Sequence, residues 1–211
     1  MTFIITAGPT REHLDPVRFL SNPSTGKMGF AVAQAAAQRG HKVILVAGPV
    51  TQKTPRTVKR IDVISAREML KAVQEAVKKN PAAVLIATAA VADWRPAKCA
   101  ARKLKKAQMA DTLKLVRNPD ILKTVKGIRK IGFAAETNDL ISEARRKCRA
   151  KKLEMIVAND VTKPGAGFGT DTNRVTFLYA DGRVEPLPLM SKLAVARRII
   201  IAAEGLCLEG D

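Results

Sequence analysis

Aromatic side chains are scarce in this chain, at 4% with one Trp and one Tyr, so the stacking platforms that single-strand nucleic-acid binders use are poorly supplied. Histidine is scarcer still. His13 and His41 are the two present, and neither sits in a Ser/His/Asp pattern, which disfavours chemistry built on a histidine base. The three cysteines, Cys99, Cys148 and Cys207, lie far apart with no CxxC pair, arguing against a disulfide framework or a zinc site and for reduced thiols. No apolar run approaches the ~18 residues of a membrane span, and the first ten residues lack the basic start, apolar stretch and cleavage site of a signal peptide. The expectation is a cytoplasmic protein with no membrane partner. Acidic residues are few as well: 19 Asp and Glu against 37 Lys and Arg leave a formal charge of +18. Such an excess favours anionic partners, whether nucleotides, phosphorylated metabolites, nucleic acid or anionic lipid, although a merely solvated basic surface has the same composition.

What is present reads as one α/β domain over residues 1–211, with 46% hydrophobic residues to fill a core. Short apolar runs at 3–6, 43–47, 58–64, 83–87, 131–133 and 155–158 predict buried strands. Helical patterns fall between them: 26–39, which is Ala-rich and stops at Gly40; 65–79, opening with a Ser65-x-x-Glu68 capping box; the basic 139–152; and 191–204. The alternation predicts a mostly parallel sheet covered on both faces, a Rossmann-like three-layer α/β/α fold. Two segments break the rhythm, the Lys/Arg-dense 95–117 and the Gly-rich 162–173, and both read as long functional loops or flaps. Residues 175–179 and 184–187 around Asp181-Gly182 predict a hairpin with a two-residue turn.

In such a sheet the ligand belongs beyond the carboxyl ends of the strands. The first loop delivers Ser24-Thr25-Gly26-Lys27-Met28-Gly29 to a helix start and, with Gly8, is a candidate phosphate site; small residues there also serve close helix-to-sheet packing. A Walker A loop is excluded because position 21 is Ser and position 28 is Met, and a dinucleotide fingerprint because no GxGxxG follows the first strand. The second loop runs Thr88-Ala89-Ala90-Val91-Ala92-Asp93, letting a flat ligand approach backbone groups, with Asp93 either holding a ribose or base edge or serving as a turn residue. Lys103-Leu104-Lys105-Lys106 is a solvated stretch unless phosphorylated ligands come within reach. Phe133 ends a strand and stacks on a base or joins the core, and Lys147 and Lys151 share one helix face, where such a pair is ordinarily surface.

In order, Ile5-Thr6-Ala7-Gly8-Pro9-Thr10-Arg11-Glu12, Leu14-Asp15-Pro16-Val17-Arg18, Ser21-Asn22 with Gly26-Lys27-Met28-Gly29-Phe30, Ala90-Val91-Ala92-Asp93, Asn118-Pro119-Asp120-Ile121, Gly132-Phe133-Ala134-Ala135-Glu136-Thr137, Ala158-Asn159-Asp160-Val161 and Phe168-x-x-Asp171-x-Asn173 span most of the chain. This set resembles the phosphopantothenoylcysteine synthetases, the synthetase half of the bifunctional coenzyme A biosynthesis protein once called the pantothenate metabolism flavoprotein. The resemblance implies a homodimer whose basic flap reaches the partner subunit, and a Mg2+-dependent ligation of 4'-phosphopantothenate to L-cysteine through an acyl cytidylate made from CTP. By the same resemblance the nucleotide is held by Ala87, Thr88, Ala89, Asp93, Lys103, Asn118, Pro119, Asp120, Ile121, Phe133, Lys147 and Lys151. Asn22 would hold the acyl cytidylate, with Arg18 and Ala89 as its neighbours and Lys103 as a cation at the reacting phosphate. A carboxylate nucleophile is already ionised at neutral pH, so fixed cations matter more than a base. The flavin-dependent decarboxylase half of the bifunctional protein is not in this sequence, so the expectation is either a free-standing synthetase or a domain excised from a longer protein, with no flavin and with a separate decarboxylase as a candidate partner. The competing reading is a non-catalytic basic module that binds nucleic acid.

Overall fold

A computed structural model describes residues 1–105, 112–136, 139–160, 162, 163, 165, 167 and 169–208. Lys106 of the basic stretch and Phe168 of the Gly-rich motif lie outside the described residues.

The chain opens with β1 (Thr2–Ala7), followed by a small antiparallel hairpin of β2 (Arg11–His13) and β3 (Phe19–Ser21). Helix α1 (Lys27–Gln38) leads to β4 (Lys42–Ala47) and β5 (Lys59–Asp62). Helix α2 (Ala66–Lys79) precedes β6 (Val84–Ala87), and the two strands β7 (Trp94–Pro96) and β8 (Leu115–Arg117) pair at the base of the basic segment. Next come the single turn α3 (Ile121–Thr124), β9 (Arg129–Glu136), α4 (Leu140–Lys151) and β10 (Met155–Asp160). The end comprises β11 (Thr172–Asn173), β12 (Val175–Tyr179), β13 (Val184–Pro186), β14 (Met190–Ser191) and α5 (Lys192–Leu208).

Eight strands form one sheet in the order β13-β12-β10-β9-β6-β1-β4-β5, parallel from β10 to β5 and antiparallel at the β12 and β13 edge. Alternate residues of the strands face opposite layers. Phe3, Ile5, Leu45, Ile86 and Val157 pack with α1 and α5, whereas Ile4, Ile44, Leu85, Ile156 and Leu178 pack with α2, α3 and α4. The three-layer α/β/α architecture is therefore as expected, and it follows from β-branched and apolar runs buried on both faces.

The capping box forms with a shift of one residue. Ser65 Oγ accepts from the Glu68 amide at 3.2 Å, while the Glu68 carboxylate accepts from the Ile64 amide at 3.0 Å and from the Ser65 hydroxyl. Strand β5 is shorter than the run 58–64 because it is an edge strand with charged Lys59 and Arg60. Strand β9 is longer than 131–133 because β10 pairs with it from Ile131 to Glu136. The hairpin expected to turn in two residues turns in three: the Tyr179 amide donates to the Arg183 carbonyl, and Gly182 takes φ +98° to close the loop. Among the described residues no helix is long and apolar enough to cross a membrane.

Candidate active site

The chain leaves β1 toward β4 on one side and returns to β6 on the other, so the sheet changes direction between β1 and β6. This switch point opens a crevice at the strand carboxyl ends. Thr6 ties its two walls together: its carbonyl accepts from the Thr88 hydroxyl at 2.5 Å and its hydroxyl accepts from the Ala89 amide at 3.2 Å. The Ala90 amide donates to the Gly8 carbonyl, and the Ala92 amide to Thr10 Oγ1. Loop 88–93 is thus fixed by hydrogen bonds and lies open on its other side.

The crevice has two lobes. The larger, about 420 Å³, is lined by Asn22, residues 23–29, Thr88, Ala89, Asp93, Phe133, Lys147 and Asn159 among others. The smaller, about 180 Å³, is lined by Ala87, Ala89, Asp93, Asn118, Pro119, Asp120, Ile121, Phe133 and Lys151. Ala89, Val91, Asp93 and Phe133 belong to both walls. Phe133 is half-buried and also packs on the α1/α5 core, so both of its sequence readings apply.

The start of α1 supplies the larger lobe with donors. Gly26 caps the helix without a side-chain bond and no acid sits in the first turn, which leaves backbone N–H groups and the positive end of the helix dipole to face an anion. A Cβ on Gly29 would run into Thr88 Oγ1 and Ala7 Cβ, so the helix approaches the sheet this closely only with glycine there. Ser24, Thr25, Gly26, Lys27 and Gly29 all line the lobe. Gly8 does not: it belongs to neither wall, and its carbonyl instead anchors loop 88–93. Gly8 therefore bears on the site through loop 88–93.

Asn22 lines the larger lobe with its donors committed, since Nδ2 donates to the Ala90 carbonyl at 3.1 Å and the Val91 carbonyl at 3.3 Å. The amide was expected to donate to an acyl oxygen; here the loop takes both protons, and Oδ1 is the group left for a ligand. Asn118 is committed too, donating to the Ala92 carbonyl at 2.9 Å and accepting from Arg95 at 3.1 Å. Lys147 and Lys151, one helical turn apart, face different lobes. Lys151 pairs with Asp120 at 3.1 Å.

Arg18 and Lys103 line neither lobe within one chain. Lys103 is exposed, and the Arg18 guanidinium binds the buried carboxylate of Asp15. Both sit beside the ribbons β2–β3 and β7–β8, where Val17, Phe19, Trp94, Leu113 and Leu115 are exposed. Among the described residues no cluster of three His, Cys, Asp or Glu side chains could hold a metal alone. Magnesium needs no such cage, because it keeps several waters and binds through substrate phosphates with one or two carboxylates, and Asp93 stands where the lobes meet.

Two site residues escaped sequence reasoning. Lys192 is buried on the wall of the larger lobe, donating to the carbonyls of Gly167 and Thr170, and burial pushes its pKa down. Nothing in the sequence separates it from a surface lysine at a helix start. Asn159 was read as part of a motif and given no role, yet it is 9% exposed at the end of β10, lines the larger lobe, and its Oδ1 lacks a partner among the described residues. An orphaned buried acceptor costs about 1–3 kcal/mol. We therefore expect Asn159→Leu to raise the melting temperature by ~2–4 °C while lowering affinity for the bound ligand on the order of tenfold. A variant that loses stability and keeps affinity would show that Oδ1 faces no ligand.

A doubly wound α/β sheet with an amide- and lysine-lined crevice at its switch point defines a Rossmann-like protein whose cleft suits anionic ligands. The chain belongs to the family described as DNA/pantothenate metabolism flavoprotein C-terminal domain, whose profile it matches over residues 1–205. It is 49% identical over 202 residues to the coenzyme A biosynthesis bifunctional protein CoaBC of Bacillus subtilis, covering 93% of this chain and 49% of that protein. With the CoaBC of Escherichia coli K12 it shares 49% identity over 196 residues, 89% of this chain and 48% of that protein. The chain thus spans about half the length of the curated relatives it matches. A crystal structure of the C-terminal domain of CoaBC superposes with a TM-score of 0.83 at 42% identity, covering 100% of this chain and 96% of that one. A Cab2 mutant in complex with phosphopantothenate-cysteine shares the fold at a TM-score of 0.77 and 15% identity.

Proposed function

We propose that the chain, folded as one domain over residues 1–211, is a ligase of coenzyme A biosynthesis that joins 4'-phosphopantothenate to L-cysteine at the expense of CTP. The observation that carries this reading is the pair of lobes sharing Asp93 and Phe133 as a common wall, which suits two anionic ligands that must react with each other. Half-length coverage of the CoaBC relatives, all bifunctional by name, supports assigning one of two activities to this chain.

In this reading the cytidine occupies the smaller lobe between loop 87–93, the turn from Asn118 to Ile121 and Phe133. Its phosphates would lie toward the start of α1 and the lysines of α4, and Asp93 with those phosphates would hold a Mg2+ ion, which would supply charge neutralisation there. The phosphopantothenate carboxylate attacks the α-phosphorus, an oxygen–phosphorus bond forms, and pyrophosphate leaves. The cysteine amine then attacks the acyl carbon, the amide forms, and CMP leaves with the shared oxygen. Both steps are displacements without redox change, so a flavin has no part in them.

Arg18 and Lys103 enter as residues that act on the crevice of a partner subunit. The exposed Val17, Phe19, Trp94, Leu113 and Leu115 beside them support a homodimer closed through the two ribbons, since apolar side chains clustered on a surface favour burial against another. A decarboxylase, on a separate chain or not, is the natural consumer of the product. The test is pyrophosphate release measured with and without each substrate. Release that requires CTP together with 4'-phosphopantothenate is expected. Release with CTP alone would refute the ligase, and an absence of release with steeply salt-dependent binding of any polyanion would favour the nucleic-acid module.

A further inference from the structure

Asp15 is a fully buried carboxylate, 0% exposed, in a loop that lines neither lobe. Its Oδ1 accepts from the amides of Val17 at 2.9 Å and Arg18 at 2.8 Å, which closes the turn between β2 and β3. A local turn needs no more than that. Its Oδ2, however, accepts from both Nε and Nη2 of Arg18 and, at 3.2 Å, from the amide of Leu104, 89 positions along the chain. Arg18 Nη2 completes a ring by donating to the Leu104 carbonyl at 2.9 Å. Leu104 is therefore gripped at both of its backbone polar groups, its N–H by the carboxylate and its C=O by the guanidinium. A second strut, from the Ala100 amide to the Leu14 carbonyl at 2.8 Å, ties the same two loops.

We infer that Asp15 is a positioning residue that locks Arg18 and the flap residue Lys103, the neighbour of Leu104, into one rigid unit, so that both cations are delivered to the reacting phosphates together. This inference rests on the ligase reading. Two guanidinium donors converging on one charged oxygen fix the orientation of the guanidinium as well as its proximity. The Arg18 guanidinium beside Asp15 holds its carboxyl well below the usual carboxylate range, so the grip is intact throughout the neutral range. Long basic side chains on a loop otherwise lose rotamer and backbone entropy on engaging a ligand, and a loop ordered in advance removes that loss.

The decisive variant is Asp15→Asn, which preserves size and the Oδ1 acceptor but replaces the gripping oxygen with an NH2 that cannot accept from Arg18 or Leu104. With melting showing a folded protein, hydrogen exchange at the Leu104 amide is expected to quicken at least tenfold, and ligation to fall on the order of 10²-fold. Added to Lys103→Gln, the change should matter by less than about threefold, because residues acting through one another are not additive. Unchanged exchange at Leu104, or losses that multiply in the double variant, would overturn the inference. Should Asp15→Asn not fold, Arg18→Gln decides: it keeps Asp15 and its turn, and is expected to quicken exchange at Leu104 by a smaller factor, whereas no change refutes the grip. If the wild-type protein releases no pyrophosphate, the ligase reading fails, and exchange at Leu104 alone determines whether the two loops are coupled.

Discussion

Asn22→Asp is expected to lower ligation by on the order of 10²- to 10³-fold while leaving the fold in place. Asn22 Nδ2 donates to two carbonyls of loop 88–93, at 3.1 and 3.3 Å. A carboxylate in its place has no proton for either carbonyl and puts three oxygen acceptors against one another without a hydrogen between them. The new negative charge also stands on the wall of the lobe that carries Asp93, where phosphates and a carboxylate would have to gather, so like charges oppose substrate and intermediate alike. The effect belongs to the site rather than to the core, because Asn22 is half-exposed and its neighbours there are loop residues. Melting should change by no more than a few degrees. Crowding by carbonyls raises the affinity of the new carboxyl for a proton, and protonation restores one donor, so residual ligation should rise as pH falls toward 5. Turnover near that of the wild type, with folding intact, would remove Asn22 from the mechanism.

How much of this was legible in the sequence depends on whether a feature is local. The strands of the central sheet are continuous apolar runs, and Ser65 with Glu68 announces the start of α2 within four residues; both follow from nearest-neighbour physics. Strand β9 was read too short because Arg129 and Lys130 look like surface residues. In the fold, Lys130 is buried and donates to the carbonyls of Leu122, Val125 and Lys151, tying α3 to the end of α4. Its contacts come from two other segments of the chain, and composition cannot foresee them. The same holds at the site. Spacing alone left Asp93 and Phe133 open and read Lys147 and Lys151 as surface; the family resemblance picked them out, and the fold brings them to the two lobes. Spacing could not say that the Asn22 amide is spent on loop 88–93, that the Gly8 carbonyl anchors that loop, or that Asp15 reaches Leu104, because each of these is a contact between distant segments.

The remaining large effect concerns the nucleotide: kcat/KM for CTP is expected to exceed that for ATP by at least about 100-fold, with 4'-phosphopantothenate, cysteine and magnesium saturating. The smaller lobe bears on this through its lining and its braced rim. At about 180 Å³, with Ala87, Ala89, Ile121, Leu122 and Phe133 on its wall, it holds one nucleobase, and the larger purine ring comes nearer the turn at Asn118. That turn is braced, since Asn118 holds the Ala92 carbonyl, its own amide holds the Asp93 carbonyl, and Lys151 pins Asp120. Shape alone discriminates weakly, by ~1–3 kcal/mol in a hydrophobic pocket, whereas backbone groups that hydrogen-bond a cytosine edge are left unpaired by the wrong base at ~1–3 kcal/mol each. One term of shape and one lost hydrogen bond, near the middle of those ranges, together exceed the ~2.7 kcal/mol that a hundredfold ratio requires. If Asn118→Ala loosens the brace, the ratio should shrink chiefly through improved use of ATP. Equal efficiencies for the two nucleotides in the wild-type protein would mean that Phe133 holds the base by stacking alone, leaving the ligation chemistry intact and the preference for CTP refuted.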